Sequence, residues 1–156
     1  MALAIAIIRI LLVALSIFMG IFFLPDIAKS IDIILLLAVA VIGILSFFSH
    51  VIFHKADAKR LGWESERPDW QFEVGFANLA IGLVALLTYL LGWNILAKSA
   101  IVLIYGVYLF QAAILHTIRA IQNHEDDVQH IFMSVFSALA FSGFLIFFAV
   151  FAIVST

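Results

Sequence analysis

Five long apolar stretches constrain this chain more than any other feature of its sequence. They cover about 3–24, 31–53, 71–91, 95–118 and 131–154, and a helix of about 20 apolar residues crosses the hydrocarbon core of a bilayer. Hydrophobic residues make up 66% of the chain and charged residues only 12%, which is outside the range of soluble domains. We therefore predict an all-α integral membrane protein, a bundle of five transmembrane helices that forms a single domain over residues 1–156.

Composition also limits the partners and cofactors. The formal net charge is −2, and no run of basic residues forms a nucleic-acid-binding tail, so we expect the lipid bilayer and no nucleic acid as partner. The chain has no cysteine, which excludes cysteine-ligated zinc and iron–sulfur clusters held by thiolates. Phenylalanine-rich faces suit either lipid or a second copy of the chain, so a homo-oligomer stays open; these residues are Phe141, Phe144, Phe147 and Phe148.

The basic residues predict an orientation. Lysine and arginine are enriched in the cytoplasmic loops of membrane proteins and near the cytoplasmic ends of their spans. Five spans place most of the basic residues on one side, namely Arg9, Lys55, Lys59, Arg60, Arg67 and Arg119, and only Lys29 and Lys98 on the other. We therefore expect a cytoplasmic amino terminus and an outer carboxyl terminus.

The second apolar stretch turns polar on one side in the segment GILSFFSHVIFHKAD, which runs from Gly43 to Asp57. On a continuous helix His50, His54 and Asp57 lie within about 60° of one another. Ionisable groups are costly to leave in hydrocarbon, so this face should turn toward other helices.

The spacing H-x-x-x-H-x-x-D offers three ligands for a divalent transition metal on one face of a helix. A fourth ligand would come from another span, and the predicted metal ligands are then His50, His54, Asp57, Glu73 and His116. No H-E-x-x-H motif adds a general base, and five histidines are too few for a membrane di-iron oxygenase. The alternative is that these histidines are interfacial residues near the headgroups.

Other polar residues within the spans predict contacts between helices. Asn78 shares a helix face with small residues, which favours close packing and a hydrogen bond to a neighbouring helix. Arg9 lies about two turns into the first span, so its side chain should reach the interface or pair with an acid. The predicted structural seam consists of Arg9, Asn78, Tyr105, Tyr108 and Arg119.

The run Glu73-Val74-Gly75-Phe76-Ala77-Asn78 resembles a segment of a family of small uncharacterised prokaryotic multi-pass membrane proteins, a domain-of-unknown-function family. The resemblance implies a multi-pass fold in a prokaryotic inner or plasma membrane, and it brings no activity with it.

Three functions remain after these exclusions. The first is a polar pocket near the cytoplasmic face that binds a metal ion or a small polar ligand. The second is a structural or assembly protein whose polar residues only hold helices together. The third is a proton-coupled transporter, which is disfavoured because the outer half of the spans is almost entirely aliphatic or phenylalanine. No serine is spaced to work with a histidine and an acid, so enzymatic activity stays open and no catalytic residue is assigned.

Overall fold

A computed structural model describes residues 2–61, 67–122 and 128–156, and their side chains except those of residues 61, 116 and 119–134. The described residues form helices and no strands. The helices are α1 (Ala2–Phe22), α2 (Ile27–Ile52), α3 (His54–Leu61), α4 (Asp69–Leu90), α5 (Ile95–Gln122) and α6 (Val128–Val154).

Five helices are long and apolar enough to cross a membrane. They are α1, α2, α4, the Ile95–Leu115 part of α5 and the Val135–Val154 part of α6. The predictions of an all-α fold and of five such helices are confirmed, with helix bounds within about four residues of those expected. The largest shift is at the start of α2, which begins at Ile27 because the Asp26 carboxylate accepts a hydrogen bond from the Lys29 backbone N–H and caps the helix.

Helix α2 lies at the centre of the bundle and packs against α1, α4, α5 and α6. Half of its most apolar window is buried, against 11–28% for the other four spans. Its first half supplies much of the apolar core, with Ile31, Ile34 and Leu35 fully buried. The helix that carries the polar segment is therefore the one around which the others are arranged.

Two stretches of α2, Leu35–Val41 and Phe48–Ile52, are π-helical. A π-helical turn holds more residues than an α-helical turn, and such stretches often occur at functional sites. The second stretch contains His50, and the chain leaves helical geometry at Phe53 (φ −106°, ψ 27°) before α3 begins.

The bundle has two chemically different ends. At one, α1 begins, α2 ends and α4 begins; we call this the His50 end. At the opposite end, Lys98 Nζ lies 2.6 Å from Asp32 Oδ1 and joins α5 to α2. There the Ser30 hydroxyl also donates a hydrogen bond of 2.8 Å to the Gly20 carbonyl, which ties α2 to α1.

The phenylalanines expected on the surface of the last span divide between core and surface. Phe148 lies in the core, and Phe141 and Phe144 pack against it. Phe147 is 56% exposed, and it is the member of this group that presents a large apolar surface to lipid or to a second copy.

Candidate functional site

The Asp57 carboxylate is the centre of a polar cluster at the His50 end. It is fully buried, although α3 is a short polar helix. Its Oδ1 accepts a hydrogen bond of 2.7 Å from the Arg60 guanidinium, one turn further along α3. Its Oδ2 lies 2.9 Å from Nδ1 of His50, in the second π-helical stretch of α2. Asp57 thus joins α3 to the end of α2 through Oδ2, while its Oδ1 contacts Arg60 within α3.

The surroundings of Asp57 keep it charged. Burial by itself raises the pKa of the Asp57 carboxyl, because a charged group loses its hydration there. The close contacts of Asp57 with His50 and Arg60 outweigh this effect, and the pKa lies below its ordinary value of 3.8. Asp57 is therefore an anion at neutral pH.

Arg9 brings α1 into the same cluster. Its guanidinium is partly buried and lies close enough to Asp57 and Arg60 for their charges to act on it. Among the described side chains it has no hydrogen-bond or ion-pair partner. We call Arg9, His50, Asp57 and Arg60 the Asp57 cluster. It contains two guanidinium groups and one carboxylate, so positive charge exceeds negative charge.

The other predicted metal ligands lie elsewhere or outside the described side chains. The Nδ1 of His54 is 3.0 Å from the Val51 carbonyl oxygen, and its ring packs edge-on against Phe72. Glu73 is exposed in the first turns of α4. The side chain of His116 is outside the described set, as are those of Arg119, His124 and His130. Where side chains are described, no three histidine or acidic residues form a group that can hold a metal ion.

A second polar group lies deeper in the bundle and joins α4 to α5. The Asn78 amide donates hydrogen bonds to the Val74 carbonyl (2.8 Å) and to the Tyr108 hydroxyl (3.1 Å). Its carbonyl accepts one of 3.1 Å from the Tyr105 hydroxyl. Tyr105 is fully buried. Hydrogen bonds between polar side chains therefore join α4 to α5 within their spans.

A family model matches residues 1–154. The chain belongs to DUF6790, a family of unknown function. This confirms that the chain belongs to a family of unknown function, as the resemblance at Glu73–Asn78 predicts. Membership in DUF6790 assigns no activity. Neither a curated protein nor a solved structure matches the chain.

Arg60 belongs to the Asp57 cluster, but it is not among the site residues predicted from the sequence of this DUF6790 member. The signal was present, because Asp57 and Arg60 are three residues apart and such pairs meet on one face of a helix. Arg60 entered the sequence-based argument only as a basic residue that helps to fix the orientation.

Replacing Asn78 with leucine should lower the free energy of unfolding by about 1 kcal/mol, since interhelical hydrogen bonds in membranes contribute about 0.6 kcal/mol each on average. A double-mutant cycle of Asn78→Leu with Tyr105→Phe, measured by reversible unfolding in bicelles, isolates the coupling between the two side chains. We expect positive coupling; strictly additive effects would contradict a hydrogen bond between them.

Proposed function

We propose that this protein is a membrane-embedded binding protein whose Asp57 cluster takes up a small polar ligand of negative charge. The observation that carries the proposal is Arg9, a cation inside an apolar span that has no ion-pair partner among the described residues. Ionisable side chains within spans are rare, costly and usually functional.

The charges of the cluster favour an anion over a metal cation. Asp57 contacts Arg60 and His50 through its two oxygens and makes no ion pair with Arg9. An anion between the guanidinium of Arg9 and that of Arg60 would balance the cluster. Guanidinium groups bind carboxylate and phosphate with two parallel hydrogen bonds, which makes these anions the best-matched class.

We place the site on the cytoplasmic side of a prokaryotic inner or plasma membrane. Support comes from the exposed basic residues Lys55, Lys59 and Arg60 at the His50 end. At the opposite end Lys98 is paired with Asp32, which leaves Lys29 as the basic residue without an acidic partner among the described residues there. This asymmetry is the one that cytoplasmic ends of membrane proteins show.

A divalent transition metal is the second ligand class, and it needs more than the described residues provide. His50 and Asp57 would supply two ligands, and His116 would have to supply another. Elemental analysis of detergent-purified protein tests directly whether the protein binds a metal. A stoichiometric metal that is lost on His50→Ala would favour it over the anion.

The structural alternative is supported by a specific observation. Each polar group links separate helices: Asp57 joins α3 to α2, and Asn78 joins α4 to α5. Such contacts serve packing without any ligand. Arg9 distinguishes the two functions, because a cation that has no ion-pair partner among the described side chains adds nothing to packing that a neutral side chain of similar length would not.

An anion titration of wild type and Arg9→Gln tests the proposal. The unfolding temperature of detergent-purified protein is measured in chloride, acetate and phosphate at constant ionic strength. A ligand at 100 times its Kd stabilises by about 2.7 kcal/mol, which corresponds to roughly 5–10 °C for a chain of this size. We expect at least one anion to raise the unfolding temperature of wild type by that amount and to have no effect on Arg9→Gln.

Lys29→Gln is the matched control, since Lys29 is exposed at the opposite end and lies over the Phe23 ring. It should respond to anions as wild type does. Equal responses of wild type and Arg9→Gln to every anion would support the structural alternative instead.

A further inference from the structure

The acidic and basic side chains of helix α3 lie on opposite faces of the helix. It follows α2 directly after the break at Phe53 and packs against α1. Asp57 and Ala58 face the bundle and are buried, at 0% and 7% exposure. Lys55 and Lys59 are exposed. The helix therefore lies against the His50 end with its acidic face inward and its basic face outward.

This sorting leaves the outer surface of α3 purely cationic. Its single acid is internal and is already in contact with His50 and Arg60. Arg60 is exposed as a residue and gives one nitrogen to Asp57, and a guanidinium has five N–H donors. Lys55 and Lys59 lie one turn apart, where like charges repel each other unless an anion lies between them.

The position of α3 identifies the anion that would meet this surface. The helix begins two residues after the end of a membrane span, at Ile52, so its lysine side chains extend at the level of the headgroups. Lysine stems lie along apolar surface while their amino groups reach phosphate. Basic clusters next to a span attract anionic lipids, at roughly a fivefold gain in binding for each basic residue.

We propose that the exposed face of α3, formed by Lys55, Lys59 and Arg60, binds the phosphate headgroups of anionic phospholipids. The two sites share Arg60, whereas Lys55 and Lys59 lie outside the Asp57 cluster. The two sites face different ways: Asp57 is buried, whereas the two lysines point outward.

Titration of short-chain phosphatidylglycerol into the detergent-purified full chain tests the proposal. The double variant Lys55→Gln/Lys59→Gln should weaken the apparent Kd by roughly 25-fold, and added salt should weaken binding to wild type much more than binding to the variant. Lys29→Gln, at the opposite end, should bind as wild type does. Lys55→Arg/Lys59→Arg should restore binding, since charge rather than side-chain shape is what the surface supplies.

Three further measurements serve as controls for fold, ligand and site. The double variant should keep the wild-type unfolding temperature in phosphatidylcholine, which shows that it folds. Inorganic phosphate should not compete with the lipid; full competition would overturn the assignment to a lipid headgroup. Wild-type affinity for phosphatidylglycerol in the double variant would overturn the proposal itself. Arg9→Gln should bind the lipid normally, so failure of the anion-binding proposal is distinguishable from failure of this one.

Discussion

Replacing Asp57 with alanine is expected to lower the free energy of unfolding by about 3–5 kcal/mol, the usual effect of removing one partner from a buried ion pair. The variant loses the contacts that join α3 to α2 and leaves Arg60 and Arg9 without the only carboxylate described near them. Reversible unfolding in bicelles measures the change.

Asp32→Asn is the matched control for Asp57→Ala. Asp32 also pairs with a basic residue of the same chain, but its side chain is 36% exposed where that of Asp57 is 0%. Partly exposed ion pairs contribute about 0–1 kcal/mol. An equal decrease in the free energy of unfolding in the two variants would contradict a larger contribution from the buried Asp57 carboxylate.

Acidification provides a second readout of the same carboxylate. Because the pKa of Asp57 is lower in the folded protein than its ordinary 3.8, its contribution is fully present above that value. The contribution is lost as the pH falls through the lowered pKa. Wild type should therefore lose stability below about pH 4, and Asp57→Asn should lose less over the same interval. An identical acid response in the two proteins would contradict the lowered pKa.

Replacing Gly43 with alanine is expected to cost about 3 kcal/mol or to prevent folding, at the upper end of the range for overpacked sites. A Cβ at Gly43 would lie 2.6 Å from the backbone oxygen of Asn78 and 3.0 Å from Cα of Gly82. Both atoms belong to the backbone of α4, which cannot move aside without separating α2 from α4. The separation would also disturb the hydrogen bonds of Asn78.

Gly143→Ala is the control for this close approach. Gly143 is also helical, in α6, and a Cβ added there would meet no atom within 4 Å. Alanine favours a helix over glycine by up to about 1 kcal/mol, so this variant should be neutral or slightly more stable. Both variants are compared by unfolding temperature in detergent. A Gly43→Ala variant as stable as wild type would contradict backbone-to-backbone packing of α2 on α4.

The five spans were predictable because bilayer thickness fixes the number of apolar residues that a helix needs. The meeting of His50 with Asp57 was predictable in outline, since both lie on the polar side of one segment. The position of His54 could not be predicted from the sequence. A constant 100° per residue does not hold through the π-helical stretch Phe48–Ile52, and the helix is interrupted at Phe53 before His54. The rotation between the two histidines therefore differs from that of a continuous helix.

Which helices lie next to one another could not be predicted from the sequence. Arg9 was expected to reach the interface or to find an acid, but its place near Asp57 follows from the packing of α1 against α3. Glu73 was assigned to the pocket although it lies about 140° around the helix from Asn78. Asn78 faces α5, and Glu73 is exposed. The role of Glu73 as a metal ligand stays a prediction.

An experimental structure of the full chain in lipid, determined with and without Arg9→Gln in the anion that stabilises wild type most, tests the central claim most directly. We predict non-protein density within hydrogen-bonding distance of the Arg9 guanidinium, next to Arg60, and its loss in Arg9→Gln. An Arg9 paired with an acidic side chain of the protein, or turned outward to lipid, would contradict the account.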